Sequence, residues 1–392
     1  MNFSKNEFLI ICLAITNIIQ YGILENLYIF QISILLIFIL NLFDNNNKLL
    51  FLNDQIINFS LITLPFLTLI FTYDFGAARF YNTLAFSIFF ILTYSLAKNS
   101  SSLNLSNILF PLSIFTLVVN LLGIIQYGFS TFRFGGLFLN ANQSGRFCYF
   151  MFISVFILFF ASDYNIFKKY NLYTYIFLLI TFSLTIASNS RTIIFVFLIH
   201  LILSLITVFI NSSKDLRFRQ FYINLSNLKI NKLFLITFIT ILILSFLGLF
   251  DELYEKLIGN SYLMIRNDDY TNGRILLWNL GIDLIRQNIG GVNNNLILMN
   301  ELNTIHNNYI YFAIKYGLFS SIIYHFIFIK IFIFSTKYIS TSRNAFFLSS
   351  LTIQMLFYWL FETASIVLPV IFIIYSYGLL VKEINQKKLS IK

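Results

Sequence analysis

Apolar runs long enough to cross a bilayer follow one another along almost the whole chain, separated by short stretches rich in Asn, Ser and Lys. A hydrocarbon core of about 30 Å takes roughly 20 helical residues, and lipid admits only helices or closed barrels because every backbone polar group must be satisfied within the protein. The runs are too long for barrel strands. The pattern predicts an all-α polytopic membrane protein of twelve helices: Phe8 to Tyr21, Leu27 to Phe43, Ile56 to Phe71, Ala78 to Ala97, Asn107 to Gly128, Phe147 to Ala161, Leu172 to Ala187, Thr192 to Ile210, Leu233 to Phe250, Asn308 to Phe334, Ala345 to Phe361 and Thr363 to Val381. No internal repeat is visible. One polar stretch carries a different period. From Thr271 to Asn288 the apolar residues fall at 275, 276, 277, 280, 282, 284 and 285, with Asn279, Asp283 and Arg286 on the other side, which predicts an amphipathic helix lying on the membrane face.

Composition supports the same class. Of 392 residues 58% are hydrophobic and only 11% charged, and the mean hydropathy of +0.80 is more than soluble domains can bury. Soluble enzymes and DNA-binding modules are set aside. The first apolar run has a single Lys5 ahead of it, no small-residue cleavage site and another span directly after, so it reads as a first helix rather than a signal peptide. Cys12 and Cys148 lie in separate apolar runs and suggest neither a disulfide framework nor a metal site.

The formal charge of +10 gains meaning once it is assigned to sides. Basic residues alternate loop by loop, and the positive-inside rule puts both termini in the cytoplasm, together with the basic loop 211–232. Fourteen of the sixteen lysines then lie inside, whereas seven of the ten arginines lie outside: Arg79, Arg133, Arg146, Arg191, Arg266, Arg274 and Arg286. The inner face carries +11 and the outer face −1. The excess is therefore a topology signal carried by lysine and not a nucleic-acid footprint. The outward arginines run against that signal. A guanidinium grips phosphate and carboxylate oxygens in pairs and tolerates desolvation better than an ammonium, so such a cluster points to an anionic ligand. The simpler reading pairs some of these arginines with the ten acidic residues placed on the same side.

Three outward segments could carry chemistry. The loop 129–146 contains Arg133-Phe-Gly-Gly-Leu-Phe-Leu-Asn-Ala-Asn-Gln-Ser-Gly-Arg146, in which glycines allow close backbone approach. Its Asn140, Asn142 and Gln143 offer donors and acceptors for sugar hydroxyls or phosphate oxygens, and a re-entrant turn capping the next helix would look the same. Next, Ser188-Asn-Ser-Arg191 puts an arginine at a helix start, where the macrodipole favours negative charge. An anion at that helix end removes the mismatch, and snorkelling to the interface is the alternative. The third is the long loop 251–307, where Arg274 repeats the arginine-at-helix-start arrangement. It ends in His306-Asn307-Asn308-Tyr309, just ahead of a helix. His200 and His325 fall within predicted spans, leaving His306 as the histidine at the outward rim, suited to general base work near neutral pH. Alone, it reads more readily as an interfacial cap shared with Asn307.

Together these segments resemble the O-antigen polymerase and O-antigen ligase family. The resemblance rests on Arg-x-Gly-Gly-x-Phe-x-Asn-x-Asn at Arg133 to Asn142, Asn-Ser-Arg at Arg191, Gly-Arg-x-x-x-Trp at Arg274 and His-Asn-x-Tyr at His306, in that order over roughly the last two thirds of the chain. Ala141 stands where many relatives have proline. The resemblance implies a glycosyltransferase of the bacterial inner membrane that needs no metal or other cofactor, with a periplasmic active site. Its substrates would be oligosaccharides linked to undecaprenyl diphosphate, and a chain-length regulator protein is the implied partner. By the same resemblance Arg191 and Arg274 hold the diphosphate, while His306 orients or deprotonates the acceptor hydroxyl. Arg133, Asn140 and Asn142 match the outer-loop pattern, with Arg146 and Asn307 beside the motifs. Arg266 matches no motif position and is included for its neighbourhood alone.

Within the family the Gly-Gly-x-Phe-x-Asn-x-Asn stretch favours a polymerase, whose acceptor is a second lipid-linked repeat unit, over a ligase, whose acceptor is lipid A core. A flippase for the same lipid-linked sugars would also have about twelve spans. Transporters tend to show repeats and ionisable residues near the midplane, whereas this chain gathers arginines and its long loop on one rim.

Overall fold

A computed structural model describes residues 4–23, 29–42, 54–71, 76–128, 134–138, 141–161, 166–188, 274–292, 297, 305, 307–339, 342–361 and 368–390. Among these residues all regular structure is helical. The elements are α1 (Lys5–Ile18), which runs into a π-helical turn at Ile19–Ile23, α2 (Ile29–Leu42), α3 (Gln55–Phe71), α4 (Gly76–Asn99), α5 (Ser106–Tyr127), α6 (Ala141–Ala161), α7 (Ile166–Lys169), α8 (Asn171–Ala187), α9 (Arg274–Gln287), α10 (Asn308–Tyr316), α11 (Leu318–Thr336), α12 (Arg343–Phe361) and α13 (Leu368–Ser390). Among the described residues, four stretches are long and apolar enough to cross a membrane: Arg79–Asn99, Ser106–Tyr127, Leu318–Thr336 and Leu368–Lys387. The expected helices Thr192 to Ile210 and Leu233 to Phe250, and the basic loop between them, lie outside the described residues.

The faces of these helices are inverted relative to a soluble protein. Along α5, Ile114, Val118, Leu121, Leu122 and Ile125 are exposed, while Ser113, Thr116 and Asn120 are buried. Along α11, Phe319, Ile322, Phe326, Ile329 and Ile333 are exposed, while Ser320, Ser321, His325 and Ser335 are buried. Continuous apolar stripes of this size would be an aggregation hazard in water and are the natural surface toward lipid. Inside, short polar side chains tie helices together: Thr68 and Thr83 share a hydrogen bond of 2.9 Å between α3 and α4, and Ser335 and Ser349 one of 2.6 Å between α11 and α12. Small residues allow close approach in the same way, since a Cβ on Gly378 of α13 would come within 2.6 Å of the Ala97 Cβ on α4.

Three predicted boundaries are corrected. The span expected over Asn308 to Phe334 is two helices, because Gly317 adopts φ 88° and the chain restarts at Leu318. Loop 129–146 does not stay a loop to its end, since α6 begins at Ala141 and its first turns bury Gln143, Ser144 and Arg146. Nothing after Asn140 breaks a helix, and the polar side chains that suggested a loop face the interior instead. The last helix, described from Leu368, runs past the expected end at Val381 through the basic tail to Ser390, where Glu383 and Lys387 pair at 2.7 Å across one helical turn.

The described contacts divide the chain into two compact units. One comprises Met1–Phe30, Ser101–Asn267 and Tyr338–Phe347, and the other Gln31–Ser100, Asp268–Lys337 and Leu348–Lys392. In the first, α1 packs on α5, and α6 packs along α5 and α8. In the second, α4 packs between α3 and α13, α11 lies on α3, and α9 lies on α10. Long-range hydrogen bonds join distant segments within each unit. In the first unit Asn107 Nδ2 donates to Glu7 Oε1 at 3.0 Å and Asn344 Nδ2 to the Leu103 carbonyl at 3.4 Å, joining segments assigned to the cytoplasm. The Phe134 amide donates to the Ala187 carbonyl at 3.0 Å, joining two outward ones. In the second unit Lys382 donates to the Ser100 carbonyl and Arg79 to the Val292 carbonyl.

Candidate functional site

The expected site residues divide between the two units. In the first, the described part of the Arg133 to Arg146 segment is a turn at 134–138 followed by α6. Gly136 adopts φ 58°, and the Phe138 amide returns to the Gly135 carbonyl at 3.0 Å. Phe134 buries its ring against Cys148, Leu184 and Ala187. The turn is thus fastened to the end of α8, immediately ahead of the predicted anion-binding turn. There Ser188 closes the helix, its amide donating to the Leu184 carbonyl at 2.9 Å and its hydroxyl to the Thr185 carbonyl at 2.7 Å. The turn and the end of α8, about fifty residues apart in sequence, therefore adjoin. Arg146 is 5% exposed in the second turn of α6, and Asn142 is half-buried in the first. Arg133, Asn140, Arg191 and Arg266 lie outside the described residues.

In the second unit the amphipathic helix forms, and Arg274 is its first residue. Leu277, Trp278, Leu284 and Ile285 pack on a cluster of Val292, Ile297, Ile305 and Ile314, while Asn279, Asp283 and Arg286 are exposed as expected. Leu280 and Ile282 are each 38% exposed, flanking the packed face rather than belonging to it. Gly281 sits at the centre of that face, where a Cβ would come within 2.7 Å of Ile305 and Ile310 side chains. The helix is held against the chain ahead of α10 by Trp278, whose Nε1 donates to the Ile305 carbonyl at 2.7 Å. Ile305 directly precedes His306, which is outside the described residues.

Asn307 is the N-cap of α10, in extended backbone with φ −146°, and its side-chain oxygen accepts from the Ile310 amide at 3.1 Å. Its Nδ2 donates to the Leu360 carbonyl of α12 at 3.1 Å, so both ends of the amide are used within the chain. Tyr309 donates its hydroxyl to the Leu356 carbonyl at 3.1 Å. Asn307 and Tyr309 thus fix the backbone on the far side of His306, as Trp278 fixes the near side. The spacing of one helical turn between Arg274 and Trp278 carries the arginine on the same helix that Trp278 anchors.

Two features of this unit were not singled out by the sequence. His325, read as a span residue, packs in an aromatic box of Tyr309, Phe312, Tyr324 and Trp359, with its ring centroid 4.2 Å from that of Tyr309. Its Nδ1 lies 2.7 Å from the Ser321 carbonyl, which assigns the proton to Nδ1 and leaves Nε2 facing Asn308 Nδ2 at 3.5 Å. The second feature is a pair of cations beside the Gly290-Gly291 turn. Arg79 is 4% exposed, donates through Nη2 to Val292, and keeps Nε buried without a hydrogen-bond partner among the described residues. Lys315, just ahead of the Leu318–Thr336 span, donates to the Tyr311 hydroxyl at 3.3 Å and lies 5.4 and 5.5 Å from the Tyr311 and Tyr316 ring centroids. Coulombic coupling to Tyr316 leads in holding the Lys315 ammonium above the usual lysine range, against burial and the nearby charge of Arg79. The sequence did contain a signal for both residues: Arg79 stands at the start of an apolar helix, and Lys315 is one of two lysines on the outer side.

Comparison of the chain with known protein families, with characterised proteins and with solved structures finds no match in any of the three.

Proposed function

We propose that this protein is an O-antigen polymerase of the bacterial inner membrane, transferring a growing glycan from undecaprenyl diphosphate to a sugar hydroxyl of another lipid-linked repeat unit at the periplasmic face. The hydroxyl oxygen attacks the anomeric carbon, the bond to the diphosphate oxygen breaks, and His306 takes the hydroxyl proton. Charge grows on the leaving diphosphate as an oxocarbenium-like state forms, so cations already in position lower the barrier. Arg191 and Arg274 fill that role. Arg133, Asn140, Asn142, Arg146 and Arg266 line the path of the sugars, while Asn307 acts as a positioning residue for His306. Inversion at the anomeric carbon is the expected outcome.

The observation that carries this reading is the bond from Trp278 to the Ile305 carbonyl, which ties the Gly-Arg-x-x-x-Trp motif to the His-Asn-x-Tyr motif across twenty-seven residues. The bond from Phe134 to Ala187 supports it in the first unit, joining the neighbours of the other two motifs.

The test is the lipopolysaccharide profile of a deletion strain. Core bearing a single repeat unit supports a polymerase. Bare core with accumulated lipid-linked polymer makes the protein a ligase, and absence of lipid-linked units from the periplasm makes it a flippase. Complementation with Arg191→Ala, Arg274→Ala or His306→Ala should restore membrane insertion but no polymer, and wild-type chain length in all three would defeat the assignment. Arg191→Lys should fail as well, because a point charge cannot reproduce the paired hydrogen bonds of a guanidinium.

A further inference from the structure

The second unit holds two cations for which the described residues provide no counter-charge. Its three described carboxylates are occupied elsewhere. Asp54 caps α3 by accepting from the Ile56 and Ile57 amides at 2.9 and 3.3 Å, Asp283 faces Arg286 at 3.2 Å, and Glu383 faces Lys387 at 2.7 Å. A buried guanidinium with one carbonyl partner and a bare Nε–H among the described residues is poorly compensated, because none of the described carboxylates balances its charge. Arg79 is nevertheless held firmly in place. It crosses the Gly290-Gly291 turn so closely that a Cβ on Gly291 would come within 3.1 Å of its Nη1. Lys315 uses one of its three ammonium hydrogens on Tyr311, and the charge of Arg79 is felt at its nitrogen.

We propose that Arg79 and Lys315 form a binding site for a phosphate-type oxyanion, completed by the hydroxyls of Tyr311 and Tyr316. The guanidinium and the ammonium carry two positive charges, more than one carboxylate balances, whereas a phosphate group can carry two negative charges and has oxygens for the guanidinium Nε–H, the ammonium and both phenols. The place suits two sources. Arg79 opens the span Arg79–Asn99 and Lys315 precedes the span Leu318–Thr336, so a lipid headgroup and free phosphate could each reach the pair. The site is independent of the glycosyltransferase reading, since it is defined by binding and involves none of the residues assigned to transfer.

The experiment uses the full chain purified in neutral detergent. One arm follows the thermal unfolding midpoint against inorganic phosphate, with chloride at matched ionic strength as reference. The other reconstitutes the chain into nanodiscs of phosphatidylcholine with or without phosphatidylglycerol and counts retained phosphatidylglycerol by native mass spectrometry. Response in the first arm identifies a soluble phosphate, and response in the second alone identifies a headgroup. In the responding arm Lys315→Gln and Arg79→Gln should each weaken binding by at least about tenfold, the loss expected when one charge-assisted partner is removed. Arg286→Gln, in the same unit, should not change it. Lys315→Arg should retain binding, which separates the site from a fold defect should Arg79→Gln be unstable. The proposal is overturned by silence in both arms, by equal response to chloride, or by undiminished binding in Lys315→Gln. It is overturned equally if Asp74→Asn or Glu301→Gln lowers the unfolding midpoint as far as Arg79→Gln does, because a carboxylate of the chain would then be the counter-ion.

Discussion

Two glycine pairs, Gly135-Gly136 in the first unit and Gly290-Gly291 in the second, look alike in sequence and are built alike up to a point. In each the second glycine has positive φ, 58° at Gly136 and 101° at Gly291, and in each another glycine lies across it, Gly123 in one and Gly317 in the other. They differ in what covers them. The first turn is covered by the apolar ring of Phe134 and tied by a backbone bond to Ala187; the second is crossed by the buried charge of Arg79. An apolar cover is complete in itself, because the ring needs nothing beyond removal from water. A cationic cover remains unfinished until something balances the charge. The same local geometry thus gives a structural corner in one place and a candidate ligand site in the other.

The sharpest way to break the comparison is Gly291→Val. At φ 101° a side chain is strained whatever the space, and a Cβ would also press on the Gly317 nitrogen at 3.0 Å and Arg79 Nη1 at 3.1 Å. A loss of about 3 kcal/mol or more is expected, read as a fall in the unfolding midpoint in detergent. Gly123→Ala should follow, at about 2 kcal/mol, since the new methyl would meet backbone atoms of Gly136 and Leu137 at 2.8 Å and a corner of backbone yields less readily than a side chain. Gly136→Ala should be mildest, at about 1 kcal/mol, because φ 58° lies in the left-handed region that other residues visit and the nearest obstacle is the Phe134 ring at 3.1 Å. If Gly136→Ala proved as damaging as Gly291→Val, the two turns would be equivalent and the distinction drawn from their covers would fail.

Helix periodicity made much of the fold legible, though some boundaries moved for local reasons. The predicted span Leu172 to Ala187 is met by Asn171–Ala187 within one residue, because polar turns bound the run on both sides. The break at Gly317 was hidden because the residues beyond it are as apolar as those before, so hydropathy registers no end. Gln143, Ser144 and Arg146 misled in the opposite sense, since in lipid polar side chains turn inward and a polar stretch need not be a loop. At the candidate site, Asn307 and Trp278 were visible as motif letters, but their partners, the carbonyls of Leu360 and Ile305, have no sequence signature. Arg79 was counted among the outward arginines without a role, because burial and a missing partner are properties of the surroundings.

By itself the sequence determined the class of molecule, an all-helical chain with membrane-spanning stretches, since hydrophobic length and period act locally and leave lipid few solutions. It also pointed to residue types that could do chemistry, through the contrast between lysines and arginines in their placement along the chain. Only the tertiary structure decided which of those residues are neighbours, which amides are spent on capping, and which cation has no counter-charge among the described residues. Those depend on contacts between residues tens or hundreds of positions apart, as between Arg79 and Val292, and no local pattern encodes them.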